Sequence, residues 1–334
     1  MIGHVLHPGQ LATVQDRGRF GHQHEGIPVS GAMDEIALRL GNLLVGNDEN
    51  AAALECTLVG PTLRFDDHML IALTGGDLSV TVDGEPIPLW RPVGVPAGAT
   101  LSGAAAVRGA RGYLAIAGGI AVPSVLGSRS TYARAAFGGL QGRSLRRGDL
   151  LPIDQPGELG RRIARAIGGD GGRSRVSIGK WGASAMIVPF YTASPVVRLL
   201  EGTHTNLLTP ESRDRLWSGD FRVGAQSDRM GYRLEGTPLE LSEPRELLSE
   251  AVAFGTVQLP PGGDPIVLMA DRQTTGGYPR IGQVASIDLP LLAQLKAGDR
   301  VRFRPASLEE AQRLYLSRED NLRQARAAVA LYHR

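Results

Sequence analysis

Lysine is nearly missing from this chain of 334 residues: of 36 basic side chains only Lys180 and Lys296 are not arginine, so candidates for a lysine nucleophile are few. Cysteine is limited to Cys56. One thiol excludes an intrachain disulfide and a multi-cysteine metal site, and it fits a reducing compartment such as the cytoplasm. Cys56 sits among apolar neighbours in AALECTLVG and reads as a small hydrophobe. Charge of one sign is lacking too, with 36 basic against 34 acidic residues and no run of either. A nucleic-acid binder concentrates its basic residues, so nucleic acid is not an expected partner. No apolar stretch approaches the roughly 20 residues of a membrane span, and the opening MIGHVLHPGQ lacks the basic and apolar segments of a signal peptide. The expectation is a soluble, cytoplasmic protein without a membrane partner.

Standard catalytic signatures are scarce as well. GKW at 179–181 has tryptophan where a phosphate loop needs a hydroxyl for magnesium, and neither HExxH nor G-x-S-x-G occurs. His22 and His24, with Glu25 beside them, would share one face of a strand, but no third ligand is apparent and no metal site is expected.

What the chain has in quantity is glycine (44) and proline (21), spaced a few residues apart. Between them lie short segments rich in Val, Leu, Ile and Thr: HMLIALTG, LSVTVDG, RGYLAIAGG, PVVRLLEG and DPIVLMAD. Strands of this length between turn signals indicate a sandwich or barrel. The predicted fold class is mainly β with a few helices, in two β-rich halves. Three helices are predicted. In SGAMDEIALRLGNLLVGN, Met33, Ile36, Ala37, Leu40, Leu43 and Leu44 mark one face, acidic residues fill the first turn and Gly46 suits the stop. Thr209 caps and Pro210 begins the second. The third starts at Ser307 and Glu310, which have capping-box spacing, and runs to about Leu331. These elements divide the chain into an N-terminal half over 1–153, a linker over 154–175 with a turn or two of helix, a C-terminal half over 176–306 and a terminal helix over 307–334. LRRGDLLPI and LKAGDRVRF, each a Gly-Asp turn before a closing strand, give the halves a faint internal echo.

Four polar clusters are candidates for chemistry. The first joins Gln15, Asp16, Arg17 and Arg19 to Ser30 and Asp34 at a helix entrance, where backbone N–H groups favour an anion unless Ser30 or Asp34 merely caps the helix. The second is GSRSTYARAAFGG at 127–139, either an anion-holding or a solvated loop. The third, AQSDRMGYRLEG, carries Asp228 and Arg229. The fourth, ADRQTTGGYPRIG, leaves an apolar strand with Asp271, Arg272, Gln273, Thr274, Gly276, Gly277 and Tyr278, and is preceded by Ser249 and Gln258. Asp228–Arg229 and Asp271–Arg272 read either as structural ion pairs or as parts of a site on a rigid sheet.

With VQDRGRFGHQHEGIPVSGAMD, LGSRST, SDRMGYRL, LLSEAVAFGTVQLPPGG and PIVLMADRQTTGGYPRIG in order, the chain resembles the family of the C subunit of bacterial ATP-dependent 5-oxoprolinase. The same family carries the names allophanate hydrolase subunit 2, Kip antagonist and the carboxyltransferase part of urea carboxylase. The resemblance implies cyclophilin-like barrel character. It implies a homologous B subunit and an amidohydrolase-like A subunit as partners, and ATP-coupled opening of the 5-oxoproline lactam to L-glutamate. No covalent cofactor is expected in this chain, and which member of the complex binds ATP is left open. On chemical type, Arg229 and Arg17 would hold a carboxylate or phosphate. Asp271 or Asp228 would act as base, and Gln273, Thr274 and the Gly276 and Gly277 amides would stabilise developing charge. Gln15, Asp16, Ser30, Asp34, Ser249, Gln258 and Tyr278 would line the pocket. The alternatives are carboxyl transfer to urea or a related amide from a separate biotin carrier, and a regulator that binds a homologous kinase inhibitor.

Overall fold

The computed structural model describes residues 1–168, 175–243 and 247–333, and these residues form two compact units. The first comprises Met1–Arg19, Asp34–Pro189 and Asp320–Arg334; the second comprises Phe20–Met33 and Phe190–Glu319. The division is therefore not the linear one expected at 153 and 176. Residues 20–33 leave the first unit and join the second, because the Met33 side chain is buried in the second unit's core. The expected linker is largely a helix, α2 (Glu158–Gly168, numbered below), with Ile163 fully buried; its residues 169–174 lie outside the described residues.

The first unit contains β1 (Ile2–His7), β2 (Leu11–Gln15), β3 (Ala53–Thr57), β4 (Thr62–Phe65), β5 (Met69–Asp77) and β6 (Thr81–Val82). It continues with β7 (Glu85–Pro86), β8 (Pro92–Val95), β9 (Thr100–Ser102), β10 (Arg108–Ile116), β11 (Leu150–Pro152) and β12 (Ser177–Ile178). They make two six-stranded sheets, ordered β11-β1-β4-β9-β6-β7 and β12-β8-β5-β10-β3-β2. Alternate residues of both sheets share one core: Val5, Leu63, Phe65 and Leu101 from one, Val14, Leu54, Ile71, Leu73 and Leu114 from the other. β5 is buried on both faces, because α1 (Glu35–Leu44) covers the outer one. There Gly41 lies so near Thr74 Oγ1 and Ala115 that a Cβ would stand 3.0 and 3.2 Å from them. Thr74 Oγ1 donates to the Ala37 carbonyl at 2.6 Å.

α1 begins later than the periodicity suggests. Asp34 is its N-cap, accepting from the Ala37 N–H at 3.0 Å, so Met33 does not belong to the helical face with Ile36 and Leu40.

The second unit is a closed barrel. Its strands are β13 (Val196–Glu201), β14 (Phe221–Val223), β15 (Gly231–Glu235), β16 (Glu250–Ala251), β17 (Thr256–Gln258), β18 (Ile266–Leu268), β19 (Thr275–Gly276), β20 (Arg280–Val284) and β21 (Arg300–Pro305). The barrel order is β13-β20-β17-β18-β15-β14-β21, with β16 and β19 paired as a separate ribbon. Val197, Leu199, Phe221, Tyr232, Leu234, Val257, Val267, Ile281 and Phe303 fill the interior. α3 (Pro210–Ser218) and α4 (Leu289–Ala293) belong to this unit, and α5 (Leu308–Tyr332) supplies residues to both units.

Both predicted caps form. Thr209 accepts from the Ser212 N–H and Ser307 Oγ accepts from the Glu310 N–H at 3.1 Å. The reciprocal arm of the second box does not, because the Glu310 carboxylate is bound by Arg304. The Gly-Asp turns also form alike: Gly148 and Gly298 both have positive φ, and Asp149 and Asp299 each accept the N–H three residues before, from Arg146 and Lys296. The echo ends there, since one turn opens onto a sheet edge and the other onto a barrel strand. Substitution Thr209→Ala is expected to lower unfolding free energy by about 1 kcal/mol, read as a reduced urea midpoint at unchanged slope.

Candidate functional site

In the first unit the polar residues after β2 are consumed by the fold. Asp16 is buried and its carboxylate accepts four hydrogen bonds: from Ser128 Oγ at 2.7 Å, Ser130 Oγ at 2.5 Å, the Arg129 N–H at 2.6 Å and the Gly18 N–H at 2.9 Å. The Ser/Arg loop at 127–139 thus does wrap an anion, and the anion is Asp16. Arg19 completes the knot: Nε donates to the Val125 carbonyl, Nη2 to the Ser130 carbonyl, and the guanidinium stacks 4.7 Å from the Phe137 ring centre. Gln15 Nε2 donates to Thr13 Oγ1 and the Thr131 carbonyl. Arg17 is exposed and pairs with Glu35 at 2.8 Å. Asp34, besides capping α1, offers its backbone N–H to Tyr113 Oη at 2.8 Å.

Tyr113 belongs to a buried network that reading the sequence missed. Its hydroxyl donates to Glu55 Oε2 at 2.6 Å, across the register pair Tyr113–Glu55 of β10 and β3. Burial and the neighbouring Glu55 charge raise the Tyr113 pKa well above that of a free phenol. Burial, reinforced by Glu55, pushes the Cys56 thiol up to about 12, in keeping with its reading as an inert core residue. His22 precedes and His24 lies within a 3-10 turn, not a strand, and the His22 ring bonds Glu25 at 3.0 Å.

The second unit gathers the remaining candidates around the exit of β18. Arg229 and Asp271, 42 positions apart, form a bidentate pair: Nε to Oδ2 at 2.8 Å and Nη2 to Oδ1 at 3.0 Å. Both are buried, and Arg229 Nη2 also donates to the Gly31 carbonyl at 2.7 Å. This pairing differs from the neighbour pairs suggested by sequence. Asp228 is exposed and closes a turn, accepting from the Met230 N–H at 2.8 Å.

Beyond Asp271, Thr274 offers its carbonyl to the Val252 N–H, and β19 pairs with β16 through Glu250–Gly276 and Ala251–Thr275. Gly276 is buried against two amides: a Cβ there would stand 2.4 Å from Gln258 Nε2 and 3.1 Å from Gln273 Nε2, so no side chain fits without displacement. A Cβ on Gly277 would meet Ser249 Oγ at 3.4 Å. Tyr278 is half-exposed and lines, with Leu241, Leu247, Leu259, Pro260 and Gly277, a cavity of about 810 Å³. Gln258 Nε2 and Ser30 Oγ are buried with no hydrogen-bond partner among the described residues. Of the predicted residues, Ser30, Arg229, Asp271, Gln258, Gln273, Thr274, Gly276, Gly277, Ser249 and Tyr278 belong to the barrel unit. Gln15, Asp16, Arg17 and Asp34 are engaged inside the first unit.

A family model described as carboxyltransferase domain, subdomain A and B, matches residues 25–305. The chain is 40% identical over 325 residues to the C subunit of Haemophilus influenzae 5-oxoprolinase, covering 97% of this chain and 98% of that protein. It is 41% identical to the Escherichia coli protein of the same name, over 92% of each. It is 32% identical to urea amidolyase of Saccharomyces cerevisiae over 93% of this chain but 17% of that protein. Among solved structures, Kluyveromyces lactis urea amidolyase superposes with a TM-score of 0.87 at 30% identity, over 97% of this chain and 20% of that one.

Because the Arg229–Asp271 pair is buried, removing one partner leaves an uncompensated charge. Asp271→Leu is expected to destabilise by roughly 3–5 kcal/mol, while Arg229→Met with Asp271→Leu recovers most of the loss. Denaturant unfolding of the two single variants and the double variant measures the coupling.

Proposed function

The chain belongs to the carboxyltransferase-domain family, and on that footing we propose that it is the C subunit of a 5-oxoprolinase, the complex that opens the 5-oxoproline lactam to L-glutamate at the expense of ATP. The observation that carries the reading is coverage: the 40% identity to the H. influenzae 5-oxoprolinase chain runs over nearly the whole of both proteins. Against urea amidolyase the match takes in only 17% of the larger protein. The partners in this reading are a homologous B subunit and an amidohydrolase-like A subunit, in the cytoplasm.

A lactam resists water because amide resonance keeps its carbonyl carbon weakly electrophilic. ATP, when bound by the complex, supplies the phosphoryl group that activates the amide oxygen. This chain's residues would bind the ring, hold the developing oxyanion and orient water. Asp271 suits the last task. Arg229 fixes its rotamer and donates one hydrogen bond to each of its oxygens, leaving acceptor capacity on both. Gln258 Nε2 and the Gln273 amide, crowded at Gly276, supply neutral donors for a carbonyl oxygen. Thr274 and the Gly277 amide extend that donor set, and Ser249 and Tyr278 border it.

The K. lactis likeness, with its TM-score of 0.87, favours a second reading, carboxyl transfer to urea or a related amide from a separate biotin carrier. The two part in one assay. The chain mixed with its two partner subunits is expected to release glutamate from 5-oxoproline only when ATP is present. Carboxylation of urea by carboxybiotin, with no glutamate released, would reject the 5-oxoprolinase reading. Within the active complex, Asp271→Asn keeps the side-chain shape and removes the charge. A fall in kcat of about 100-fold or more is expected for a positioned base, and wild-type turnover would strike Asp271 from the site.

A further inference from the structure

The two arginines that sequence reasoning assigned to an anion are both occupied: Arg17 by Glu35 and Arg229 by Asp271. Arg272 is not. It is 8% exposed, as deeply placed as Arg229 at 9%. Yet among the described residues no carboxylate lies within 4.0 Å of its guanidinium. Its side-chain hydrogen bonds are Nε to the Val252 carbonyl at 3.4 Å and Nη1 to the Met269 carbonyl at 3.5 Å, both at the outer limit for such a bond. The Phe254 ring, its centre 5.8 Å from the guanidinium carbon, forms one wall. A guanidinium has five N–H donors in a planar fork, so most of this one's capacity is unused.

Such a group is expensive to bury. Loss of hydration lowers the Arg272 pKa to about 10, with the charge of Asp271 opposing the shift. The side chain therefore stays protonated at neutral pH, a buried cation that the protein alone does not neutralise. Two neutral groups without partners belong to the same unit. Gln258 Nε2 is buried beneath Gly276, four residues along the loop from Arg272, and Ser30 Oγ is buried beside Gly31, whose carbonyl holds Arg229.

We propose that Arg272 is the charged element of a small-oxyanion site at the β18 exit loop, and that the loop takes the carboxylate of the substrate or its phosphoryl group. The oxyanion chemistry comes from the unpaired fork itself; naming the substrate as a lactam acid rests on the 5-oxoprolinase reading. A planar fork matches a carboxylate or phosphate in two parallel hydrogen bonds. An anion held in the fork would offset part of the cost of burying the charge.

The test compares wild type with Arg272→Gln and with Arg272→Lys, each as the full chain and as the complex with its partner subunits, without ATP. Three probes are titrated separately: 5-oxoproline, 2-pyrrolidinone (the same ring without the carboxylate) and inorganic phosphate. If the anion is the substrate's, Arg272→Gln weakens 5-oxoproline by about 10- to 100-fold and leaves 2-pyrrolidinone unchanged, with Arg272→Lys in between. If it is the phosphoryl group, inorganic phosphate shows that loss instead. Equal affinity of wild type and Arg272→Gln for both anions overturns the site, and so does the absence of binding by either anion. Thermal unfolding supplies a readout that a merely structural arginine would move the other way. Without ligand, Arg272→Gln is expected to melt at or above the wild-type temperature, since it removes an uncompensated cation. A lower melting temperature with anion affinity intact makes Arg272 a packing residue. The outcome stays separable from the functional reading. A complex that makes glutamate with unchanged KM and kcat in Arg272→Gln sinks this site and leaves that reading standing. Arg272-dependent anion binding without turnover does the reverse.

Discussion

The bidentate contact between Arg229 and Asp271 fastens the polar part of the barrel unit to its apolar part. β15 and β18 pair through Gly231–Leu268, and the ladder continues past both strands: the Met269 N–H reaches the Met230 carbonyl at 2.9 Å and the Asp271 N–H reaches the Arg229 carbonyl at 2.8 Å. The side-chain pair closes this extension. Burying two charges is favourable only when the geometry is good and leftover donors are met. Here the fork is matched on both oxygens and Nη2 also serves the Gly31 carbonyl. With Asp271 held, residues 272–276 have little freedom: the ribbon with β16 fixes their far end and Gly276 settles against the Gln258 amide. One ion pair thus converts a strand exit into a rigid shelf, which is the condition for placing catalytic groups to within fractions of an ångström.

The first unit shows the opposite use of the same residue types. Asp16, Ser128, Ser130 and Arg19 look as chemical as anything in the barrel, yet they satisfy one another. A buried carboxylate with four donors, three of them on one oxygen, is satisfied within the fold. Polarity in a loop is thus two-valued. Whether a Ser/Arg-rich loop serves a ligand or a neighbouring carboxylate depends on where the carboxylate lies in space, and Asp16 is more than a hundred positions from the loop it organises.

That distance also marks how much of the molecule was legible beforehand. Local features were. The Thr209–Pro210 helix start, the Ser307 cap and the two Gly-Asp turns each depend on residues within a turn of one another, and all form as read. Of the short strands, HMLIALTG, RGYLAIAGG, PVVRLLEG and DPIVLMAD supply β5, β10, β13 and β18, whereas LSVTVDG keeps only Thr81–Val82. Features that depend on distant partners were misread. Met33 has the right spacing for the α1 face, but the helix begins at its Asp34 cap and Met33 is drawn into the barrel core. For Arg229 and Asp271 adjacency along the chain offers a neighbour pair as one of two readings, and nothing local points to the contact between them, 42 positions apart. Arg272 was passed over for the same reason: Asp271 beside it suggested a partner, and only the fold shows that this carboxylate is turned to Arg229.

Counting buried groups alone, two guanidinium groups and one carboxylate meet at the β18 exit, a buried excess of positive charge. In water that excess would be trivial. At a site where both arginines are less than a tenth exposed, the surrounding protein screens it poorly. On the proposed function, the arrangement divides labour between adjacent residues. Asp271 is neutralised as a net charge but keeps acceptor lone pairs, so it can order a water without repelling an anion. Arg272 keeps its charge but has no strong partner, so it can draw an anion in. Had Asp271 paired with Arg272, as their adjacency invites, the cation on the loop would be neutralised by its own neighbour. It is the crossing of the pairs, set by the β15–β18 ladder, that leaves the cation on the loop with the free donors.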